Sequence, residues 1–519
     1  MQLAQTVRRA ALLEPKRLAL VDGALRLDWR TFEDRVARIA SGLRALGVGE
    51  GDRVAMLAHN SGRYVEFFFA VLWAGGIAVP VNTRWAAPEI RYALADSGAR
   101  WLVVDPDHLE LGRALRDSGS ALSALILAAD TDTVAEDAAH WERLAESPRA
   151  EDAQRGGEDV ACLFYTGGTT GRSKGVMLTH ANLVANSLTA MINMDIRADS
   201  VHLHTSPMFH VAGGARLFSV TLAAGTHVVL PRFEVDTFLD TVEQERVTIT
   251  IIVPTMLTRL VRHPELERRD LSSLRLLCYG ASPMPEAVLR EALERMPGIR
   301  LLQSYGMTEL SPVATVLMPE HHTFTGPNAG RTASAGRPVY NADVMIADED
   351  GDPLPSGAIG EVCVRGPMVM KGYWNLPELT AETLRGGWMH TGDAGYLDDE
   401  GFLFVVDRLK DMIVSGGENV YSAEVEDAIY LHPDVAECAV IGVPDAQWGE
   451  AVHAVVVPKP DAKLDEEAIV AHCRARIAKF KCPRSVDIRR AELPKSGPGK
   501  ILKTDLRKPF WEGLDRAVN

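Results

Sequence analysis

The chain has 519 residues, of which 46% are hydrophobic and 24% charged, and its formal net charge is −15. That length predicts three or four folding units rather than a single core. The acidic balance argues against a general nucleic-acid binder, and no apolar run approaches the roughly 18 residues of a membrane span, which argues against an integral membrane segment.

The N-terminus and the cysteines favour a cytoplasmic protein. Residues 1–20 carry scattered basic side chains and lack the continuous apolar centre of a secretion signal. The six cysteines are widely spaced and form no C-x-x-C pair. We therefore predict neither a disulfide framework nor a zinc site.

Helix-like and strand-like segments alternate in the first part of the chain. A helix pattern over residues 31–46 is followed by short apolar runs at 53–57, 77–81 and 101–104. This alternation predicts βαβ units and a mainly parallel sheet. The acidic, alanine-rich segment 130–159 is predicted to be a surface connection.

The rest of the chain predicts a second sheet, a small β-rich unit and a C-terminal domain. Residues 161–305 alternate again, with strand-like runs at 227–230, 248–253 and 274–279. Short strands at 343–347, 360–365 and 402–406, broken by Gly and Pro, predict the β-rich unit. Charged residues after Asp407 place a domain boundary near Lys410. The predicted fold class is α/β, with an N-terminal domain over 1–409 and a small α+β domain over 410–519.

A loop rich in glycine and threonine follows the apolar run 160–164. Residues 165–174 read Tyr-Thr-Gly-Gly-Thr-Thr-Gly-Arg-Ser-Lys. Glycines let backbone N–H groups turn toward one anion, the threonine hydroxyls add donors and Lys174 adds a full positive charge, as a polyphosphate site requires. A plain surface turn uses the same residue types, so the loop alone does not decide between the two and other motifs are needed. A Walker loop does not fit, because Ser173 stands where a glycine is required and Gly175 where the metal-binding hydroxyl is required. Neither a G-x-S-x-G nor an H-E-x-x-H motif occurs.

The loop resembles the signature of the adenylate-forming superfamily, which includes acyl-CoA synthetases, 4-coumarate-CoA ligases, firefly luciferase and the adenylation domains of peptide synthetases. Gly168 replaces the usual serine and Ser173 the usual proline. Further motifs of the family follow in its order along nearly the whole chain: Pro207-Met-Phe-His210, Gly280-Ala-Ser-Pro283, Tyr305-Gly-Met-Thr-Glu309, Gly336-Arg-Pro338, Thr391-Gly-Asp393, Asp407-Arg-Leu-Lys-Asp411, Ser415-Gly-Gly-Glu-Asn-Val420 and Pro494-Lys-Ser-Gly-Pro-Gly-Lys500.

The resemblance implies a fold and an ATP site. The implied fold is a large N-terminal domain of two α/β sheet subdomains plus a small β-barrel-like unit, followed by a mobile C-terminal domain. Thr308 is implied to contact the α-phosphate, Glu309 to coordinate Mg²⁺, and Asp393 to bind the ribose, with Arg408 beside it. The remaining implied ATP-binding residues are Thr166, Gly167, Gly168, Thr169, Thr170, Gly171, Lys174, Gly280, Ala281, Ser282, Tyr305, Gly306 and Met307.

The same resemblance implies an acyl pocket and a catalytic lysine. Lys500 is implied to stand between the substrate carboxylate and the α-phosphate, where its charge offsets the repulsion of two anions. Lys410 is the implied hinge, and Ser415, Gly416 and Gly417 line the implied CoA channel. The implied acyl pocket has His210 at its mouth and walls formed by Ala212, Gly213, Ser304, Pro312 and Val313.

The expected function is an ATP-dependent carboxylate–CoA ligase that acts through an acyl-adenylate. ATP, Mg²⁺ and coenzyme A are the expected cofactor and co-substrates, and the acid is fatty or aryl, including hydroxycinnamic acids. Transfer to a carrier protein or an amine, oxidation of the adenylate as in luciferase, and a non-catalytic nucleotide-binding protein are the alternatives. A homodimer is compatible with these expectations.

Overall fold

The structure is a computed structural model that describes residues 2–118, 121–131, 133, 135–166, 172–282, 284–409, 411–415, 418–495 and 501–512. The strands among these residues are, in chain order, β1 (Leu18–Asp22), β2 (Leu25–Asp28), β3 (Arg53–Leu57), β4 (Ile77–Pro80), β5 (Trp101–Val104), β6 (Ala124–Leu127), β7 (Ala139–His140), β8 (Val160–Thr166), β9 (Lys174–Thr179), β10 (Val201–His204), β11 (Thr226–Val229), β12 (Ile249–Ile252), β13 (Leu276–Gly280), β14 (Arg300–Gly306), β15 (Val313–Leu317), β16 (Arg337–Pro338), β17 (Asp343–Ala347), β18 (Gly360–Arg365), β19 (Gly372–Tyr373), β20 (Met389–Leu397), β21 (Leu403–Arg408), β22 (Ile413–Ser415), β23 (Glu418–Val420), β24 (Val435–Asp445), β25 (Gly449–Pro458) and β26 (Ser485–Ile488).

The α-helices among the described residues are α1 (Ala4–Leu13), α2 (Trp29–Ala45), α3 (Gly62–Ala74), α4 (Ala87–Ser97), α5 (Leu109–Asp117), α6 (Trp141–Leu144), α7 (His180–Met194), α8 (Val211–Leu222), α9 (Val235–Gln244), α10 (Pro254–Val261), α11 (Glu286–Arg295), α12 (Pro377–Thr383), α13 (Ser422–Tyr430), α14 (Glu466–Arg474) and α15 (Lys503–Trp511). Within the part of the chain that the structure describes, none of the helices is both long and apolar enough to cross a bilayer.

Two large sheets carry the N-terminal part. The first has the order β19-β9-β8-β4-β3-β5-β6-β7, and the second the order β16-β15-β14-β13-β12-β10-β11-β1-β2. Strand pairs in the middle of both sheets are parallel. The edges are antiparallel: in the first sheet β9 pairs with β8 and β19, and in the second β2 pairs with β1 and β15 pairs with β14 and β16. The two-sheet prediction is therefore confirmed.

The two sheets exchange segments in a way that the sequence did not indicate. The hairpin β8–β9 belongs to the first sheet through the parallel pairing of β4 with β8, and β1 and β2 belong to the second through the pairing of β1 with β11. These pairings join distant parts of the chain, and local hydrophobic patterns carry no information about them.

Helix α3 is buried on almost every side. Its sequence after the cap is Gly-Arg-Tyr-Val-Glu-Phe-Phe-Phe-Ala-Val-Leu-Trp-Ala, and the N-cap Ser61 accepts a hydrogen bond from the backbone N–H of Tyr64. A helix that is apolar all round belongs inside a protein. Side chains of α2, α3, α8 and both large sheets share one buried cluster, so these helices form the layer that joins the sheets.

The segment 130–159 is only partly a surface connection, which corrects the prediction. It contains β7 and α6, and the side chain of Trp141 is fully buried. The indole N–H of Trp141 donates to Glu66 Oε2 at 2.9 Å, and Glu66 forms a 2.6 Å ion pair with Arg35. Trp141 and Leu144 join the buried core, and Glu142 forms ion pairs with Arg35 and Arg63, so this acidic segment is anchored to the domain.

Two smaller sheets complete the chain. Strands β17, β18, β20 and β21 form an antiparallel sheet in that order, which is the predicted β-rich unit. The last sheet has the order β23-β22-β25-β24, with β26 parallel to β25, and it packs on α13 and α14. This α+β arrangement follows the boundary residue Lys410, which lies outside the described residues.

Candidate active site

The phosphate-loop motif connects the two strands of a hairpin. Strands β8 and β9 pair antiparallel with Thr166 opposite Lys174, so both described ends of the loop meet. Tyr165 fixes the end of β8 because its hydroxyl donates to Asp96 Oδ2 at 2.6 Å. Gly167, Gly168, Thr169, Thr170 and Gly171, the other predicted loop residues, lie outside the described residues.

Glu309 is a buried carboxylate beside that hairpin. It lies in a short 3₁₀ turn, Thr308–Leu310, and its Oε1 accepts a 2.8 Å hydrogen bond from the hydroxyl of Tyr373. Burial raises the pKa of Glu309, and the Tyr373 hydrogen bond and the charges of Arg408 and Lys174 oppose that rise. The ammonium of Lys174 lies 5.1 Å from the centre of the Tyr373 ring. One tyrosine therefore contacts both groups: a buried carboxylate at its hydroxyl and a cation over its ring.

Asp393 forms a second polar centre in the same region. It is buried in β20, accepts a 2.7 Å hydrogen bond from the Tyr305 hydroxyl, and forms a 2.6 Å ion pair with Nε of Arg408. The paired register of β20 and β21 puts Asp393 directly opposite Arg408. Burial lowers the pKa of Arg408, but the interactions with Asp393, Tyr305, Glu309 and Asp411 together outweigh it, and the net shift is upward. The charge of Arg408 is thus held at the predicted ribose site.

The carboxyl ends of β13 and β14 form the wall predicted for adenine. The strands are parallel, and Gly280 at the end of β13 pairs with Ser304 in β14. A Cβ at Gly280 would lie 2.3 Å from the Ser304 carbonyl oxygen, so only glycine permits this approach. Ala281 adopts a positive φ of 69°. Parallel sheets bind ligands at the carboxyl ends of their strands, which is where the structure places 280–282 and 305–307.

The acyl-pocket prediction falls on the start of α8. His210 is the N-cap residue of α8, and its Nε2 is buried without a hydrogen-bond partner among the described residues. Burial lowers the pKa of His210 to about 4, so the imidazole is neutral at physiological pH. A Cβ at Gly213 would lie 2.4 Å from the carbonyl oxygen of Pro207, so glycine is required there too. Ala212 and Gly213 line one small cavity.

The other predicted wall residues lie around β14 and β15. Gly306 pairs with Val313 across these strands, and a Cβ at Gly306 would lie 1.9 Å from the carbonyl oxygen of Pro312. Ser304 is directly against Gly280. These contacts join the proposed adenine wall to Pro312 and Val313.

The C-terminal predictions are only partly within the described residues. Ser415 ends β22, and its hydroxyl is buried without a partner among the described residues. Lys410, Gly416, Gly417 and Lys500 lie outside the described residues.

Two residues of this region were missed by motif reasoning. Tyr373 is in β19, which pairs with β9, and it joins Lys174 to Glu309. Lys503 forms a 2.7 Å ion pair with Glu426 in the C-terminal domain. Neither belongs to a motif, and only the tertiary pairing of their elements identifies them.

Comparison with known proteins identifies the family of the chain. The family model described as AMP-binding enzyme matches residues 7–374, and that of the AMP-binding enzyme C-terminal domain matches 424–500. A feruloyl-CoA synthase of Amycolatopsis sp is 44% identical over 97% of this chain and 98% of its own length. The long-chain-fatty-acid–CoA ligase FadD13 of Mycobacterium tuberculosis is 36% identical over 97% of each chain.

A solved structure supports the fold. The amide bond synthetase McbA from Marinactinospora thermotolerans matches with a TM-score of 0.88 and 31% identity, over 98% of this chain and 99% of that one. The resemblance and the fold class inferred from the sequence are both confirmed.

Proposed function

The chain belongs to the AMP-binding enzyme family, and from that premise we propose that it activates an aryl-propenoic acid and passes the acyl group to coenzyme A. It is an ATP-dependent, AMP-forming acid–thiol ligase, as its relatives named CoA ligases and synthases are. The proposal concerns which acid it takes and which residues do the chemistry.

One observation carries the choice of acid. The feruloyl-CoA synthase is 44% identical across nearly the full length, whereas the long-chain-fatty-acid ligase is 36% identical over the same share. Since the acyl pocket is built from several separated segments, similarity along the whole chain bears on it more than any single motif. An aryl acid is therefore favoured over a long aliphatic one.

Glu309 is the proposed magnesium ligand. Its carboxylate is buried and accepts from the Tyr373 hydroxyl, and the ammonium of Lys174 lies 5.1 Å from the centre of the Tyr373 ring. A buried carboxylate oxygen is a suitable ligand for a hard divalent cation. Bound Mg²⁺ would neutralise phosphate charge as pyrophosphate leaves. Thr308, the residue before Glu309, is proposed to donate to the α-phosphate, and Lys174 to bind the departing phosphates.

Tyr305, Asp393 and Arg408 are proposed to hold the nucleoside. Asp393 can accept hydrogen bonds from the ribose hydroxyls once Tyr305 and Arg408 have oriented it. In the first half-reaction, holding the carboxylate in line with the α-phosphorus lowers the barrier. No general base is needed, because the acid is already ionised near neutral pH. The carboxylate oxygen attacks the α-phosphorus, and the bond to pyrophosphate breaks.

Lys500 is proposed to stabilise that transition state, and the C-terminal domain to turn about Lys410 for the second half-reaction. The thiolate of coenzyme A then attacks the carbonyl carbon, and the bond to AMP breaks. Ser415, Gly416 and Gly417 are proposed to line the thiol's path. A homodimer and a cytoplasmic location stay predictions.

The test is a thioester assay of the full chain with ferulate, 4-hydroxycinnamate, cinnamate and C8 to C16 fatty acids. The highest kcat/KM is expected for an aryl-propenoate. A fatty acid preferred over every aryl acid would contradict the proposed acid class. No acid-dependent release of pyrophosphate with any acid would contradict adenylation itself.

Lys500→Ala separates the two half-reactions. We expect it to abolish acyl-adenylate formation and to leave thioester formation from supplied feruloyl-adenylate largely intact. Lys508→Ala, an exposed lysine of α15, is the matched control and should leave both rates unchanged. Equal loss of both half-reactions in Lys500→Ala would refute the division.

An amine acceptor is the second candidate. The similarity to the amide bond synthetase McbA is the observation that favours it. Replacing coenzyme A by a primary amine in the same assay distinguishes the two: amide formation faster than thioester formation would favour the amine.

A further inference from the structure

A buried arginine lies in α8, one turn beyond two predicted acyl-pocket residues. Arg216 is 2% exposed, and it follows Ala212 and Gly213 by four and three positions, so all three share one helix face. The chain therefore places a guanidinium below the floor of the pocket, where an apolar side chain would be the ordinary choice.

The partners of Arg216 among the described residues are uncharged. Nη2 of Arg216 donates to Asn186 Oδ1 at 3.2 Å, and Nη1 lies 3.8 Å from the sulfur of Met194. Across the described ranges, no Asp or Glu forms an ion pair with it. Burial lowers the pKa of Arg216 to about 10, which still leaves the side chain charged at neutral pH. A guanidinium has five N–H donors, so several remain available to a ligand.

A small cavity adjoins this guanidinium. Its cavity volume is only about 10 Å³, roughly the room of one water molecule, and it is lined by Ala212, Gly213 and Arg216 on α8, with the ends of β10 and β12 on its other side. The hydroxyls of Thr205 and Ser206 in this lining already donate to the Ile251 carbonyl oxygen. The space is too small for an aromatic ring, so it can receive only one water-sized group, such as the para oxygen of an acid whose ring lies outside it.

The distance along the helix suits such an acid. His210 precedes α8 and Arg216 follows it by six residues, a rise of roughly 9 Å. That rise is about the length of a 4-hydroxycinnamate from its carboxylate to its para oxygen. An acid that enters past His210 would thus place its far end near Arg216.

Asn186 connects this end of the pocket to the adenylation segment. Its Oδ1 accepts from Arg216, and its Nδ2 donates to the carbonyl oxygens of Leu310 and Val313 at 3.3 and 2.9 Å. The segment between those carbonyls follows Glu309 directly. The position of the guanidinium is therefore fixed relative to the residue proposed to bind magnesium.

We propose that Arg216 donates a hydrogen bond to a phenolic oxygen at the para position of the acid's ring, and so selects oxygen-bearing aryl-propenoates. The inference rests on the proposed function, since it assumes an aryl acid. A phenol is favoured over a second carboxylate, because a neutral hydroxyl loses much less hydration on entering a buried cavity than an ionised group does.

The test compares three acids with the full-length enzyme: 4-hydroxycinnamate, cinnamate and 4-aminocinnamate. A hydrogen bond to a charged donor should raise kcat/KM for the hydroxy acid over cinnamate by about tenfold to a hundredfold. The amino group has nearly the same size but is chiefly a donor, as Arg216 is. We therefore expect 4-aminocinnamate to be used no better than cinnamate.

Arg216→Met should bring the hydroxy acid and cinnamate to within about threefold of each other, while cinnamate turnover persists. The loss should fall on the KM for the hydroxy acid, because the contact lies away from the reacting carboxylate and is present in ground and transition states alike. Arg197→Met is the matched control: Arg197 is 65% exposed and pairs with Asp195, and its loss should leave the ratio unchanged.

Several outcomes overturn the assignment. One is an Arg216→Met enzyme whose kcat/KM ratio for 4-hydroxycinnamate over cinnamate equals that of the wild type. Another is a wild type that uses the three acids equally well. A third is a preference for 4-carboxycinnamate over 4-hydroxycinnamate, which would indicate that a second carboxylate binds Arg216. If Arg216→Met does not fold, the test uses the three acids with the wild type and with Arg216→Lys. The lysine should retain part of the preference for 4-hydroxycinnamate over cinnamate. Turnover of fatty acids without any aryl acid would instead contradict the proposed function.

Discussion

Removing the hydroxyl of Tyr373 should shift the pH dependence of adenylation. Tyr373→Phe deletes the 2.8 Å hydrogen bond to Glu309 and keeps the ring beside Lys174. A hydrogen bond to a charged group contributes about 1.5–3 kcal/mol. Because the hydrogen bond stabilises the ionised carboxylate, its loss should raise the pKa of Glu309.

The direction of the change follows from the chemistry. Burial already raises the pKa of Glu309, and the Tyr373 hydrogen bond opposes that rise. If Glu309 binds magnesium as proposed, adenylation needs its ionised carboxylate, and activity falls as the pH drops through this pKa. Without the hydroxyl, the acidic limb of the kcat/KM profile for ATP should move to higher pH, while the rate on the plateau changes less.

Acid-dependent ATP–pyrophosphate exchange between pH 5 and 9 measures this shift. Tyr64→Phe is the matched control, because the Tyr64 side chain is fully buried and its hydroxyl has no partner among the described residues. Its profile should coincide with that of the wild type. A Tyr373→Phe enzyme whose acidic limb does not move would refute the role given to Glu309.

Three further substitutions test the site and the fold. Asp393→Asn should raise the KM for ATP at least tenfold and change the KM for the acid little, as steady-state kinetics would show; equal effects on both would contradict a ribose contact. Glu66→Gln removes the 2.6 Å ion pair with Arg35, which keeps its 2.9 Å ion pair with Glu142, and should cost about 2 kcal/mol in urea unfolding; Glu110, whose side chain is 83% exposed, is the control, and Glu110→Gln should cost less than about 0.5 kcal/mol. Gly213→Ala should destabilise the protein by about 1–3 kcal/mol, because its Cβ would meet the Pro207 carbonyl oxygen at 2.4 Å; unchanged stability would show that α8 can shift.

Local patterns predicted the elements that depend on local forces. The strands expected at 343–347 and 360–365 are found as Asp343–Ala347 and Gly360–Arg365, because short alternating runs between Gly and Pro residues leave few other choices. The helix expected at 31–46 begins at Trp29, where the Asp28 carboxylate accepts from the backbone N–H of Thr31. Pairing between distant strands, such as β1 with β11, had no such local cause.

Some residues of the candidate site were predicted from sequence motifs, and others are identified only by tertiary packing. Ordered motifs indicated Glu309, Asp393 and Arg408, and the structure brings Asp393 and Arg408 into direct contact. Tyr373 and Arg216 belong to no motif, because their roles arise from what packs against them. One signal did exist for Arg216: the run Val-Ala-Gly-Gly-Ala-Arg-Leu-Phe predicts a helix with small or apolar residues on all sides, in which a charge is exceptional.

The central claim is that the acid's own oxygen attacks the α-phosphorus of ATP. Ferulate labelled with ¹⁸O in both carboxylate oxygens tests it directly, with AMP, pyrophosphate and thioester analysed by mass spectrometry after turnover with coenzyme A. An acyl-adenylate leaves one ¹⁸O in the AMP phosphate and one in the thioester carbonyl, and none in pyrophosphate. Unlabelled AMP, or label released in orthophosphate together with ADP, would contradict the account.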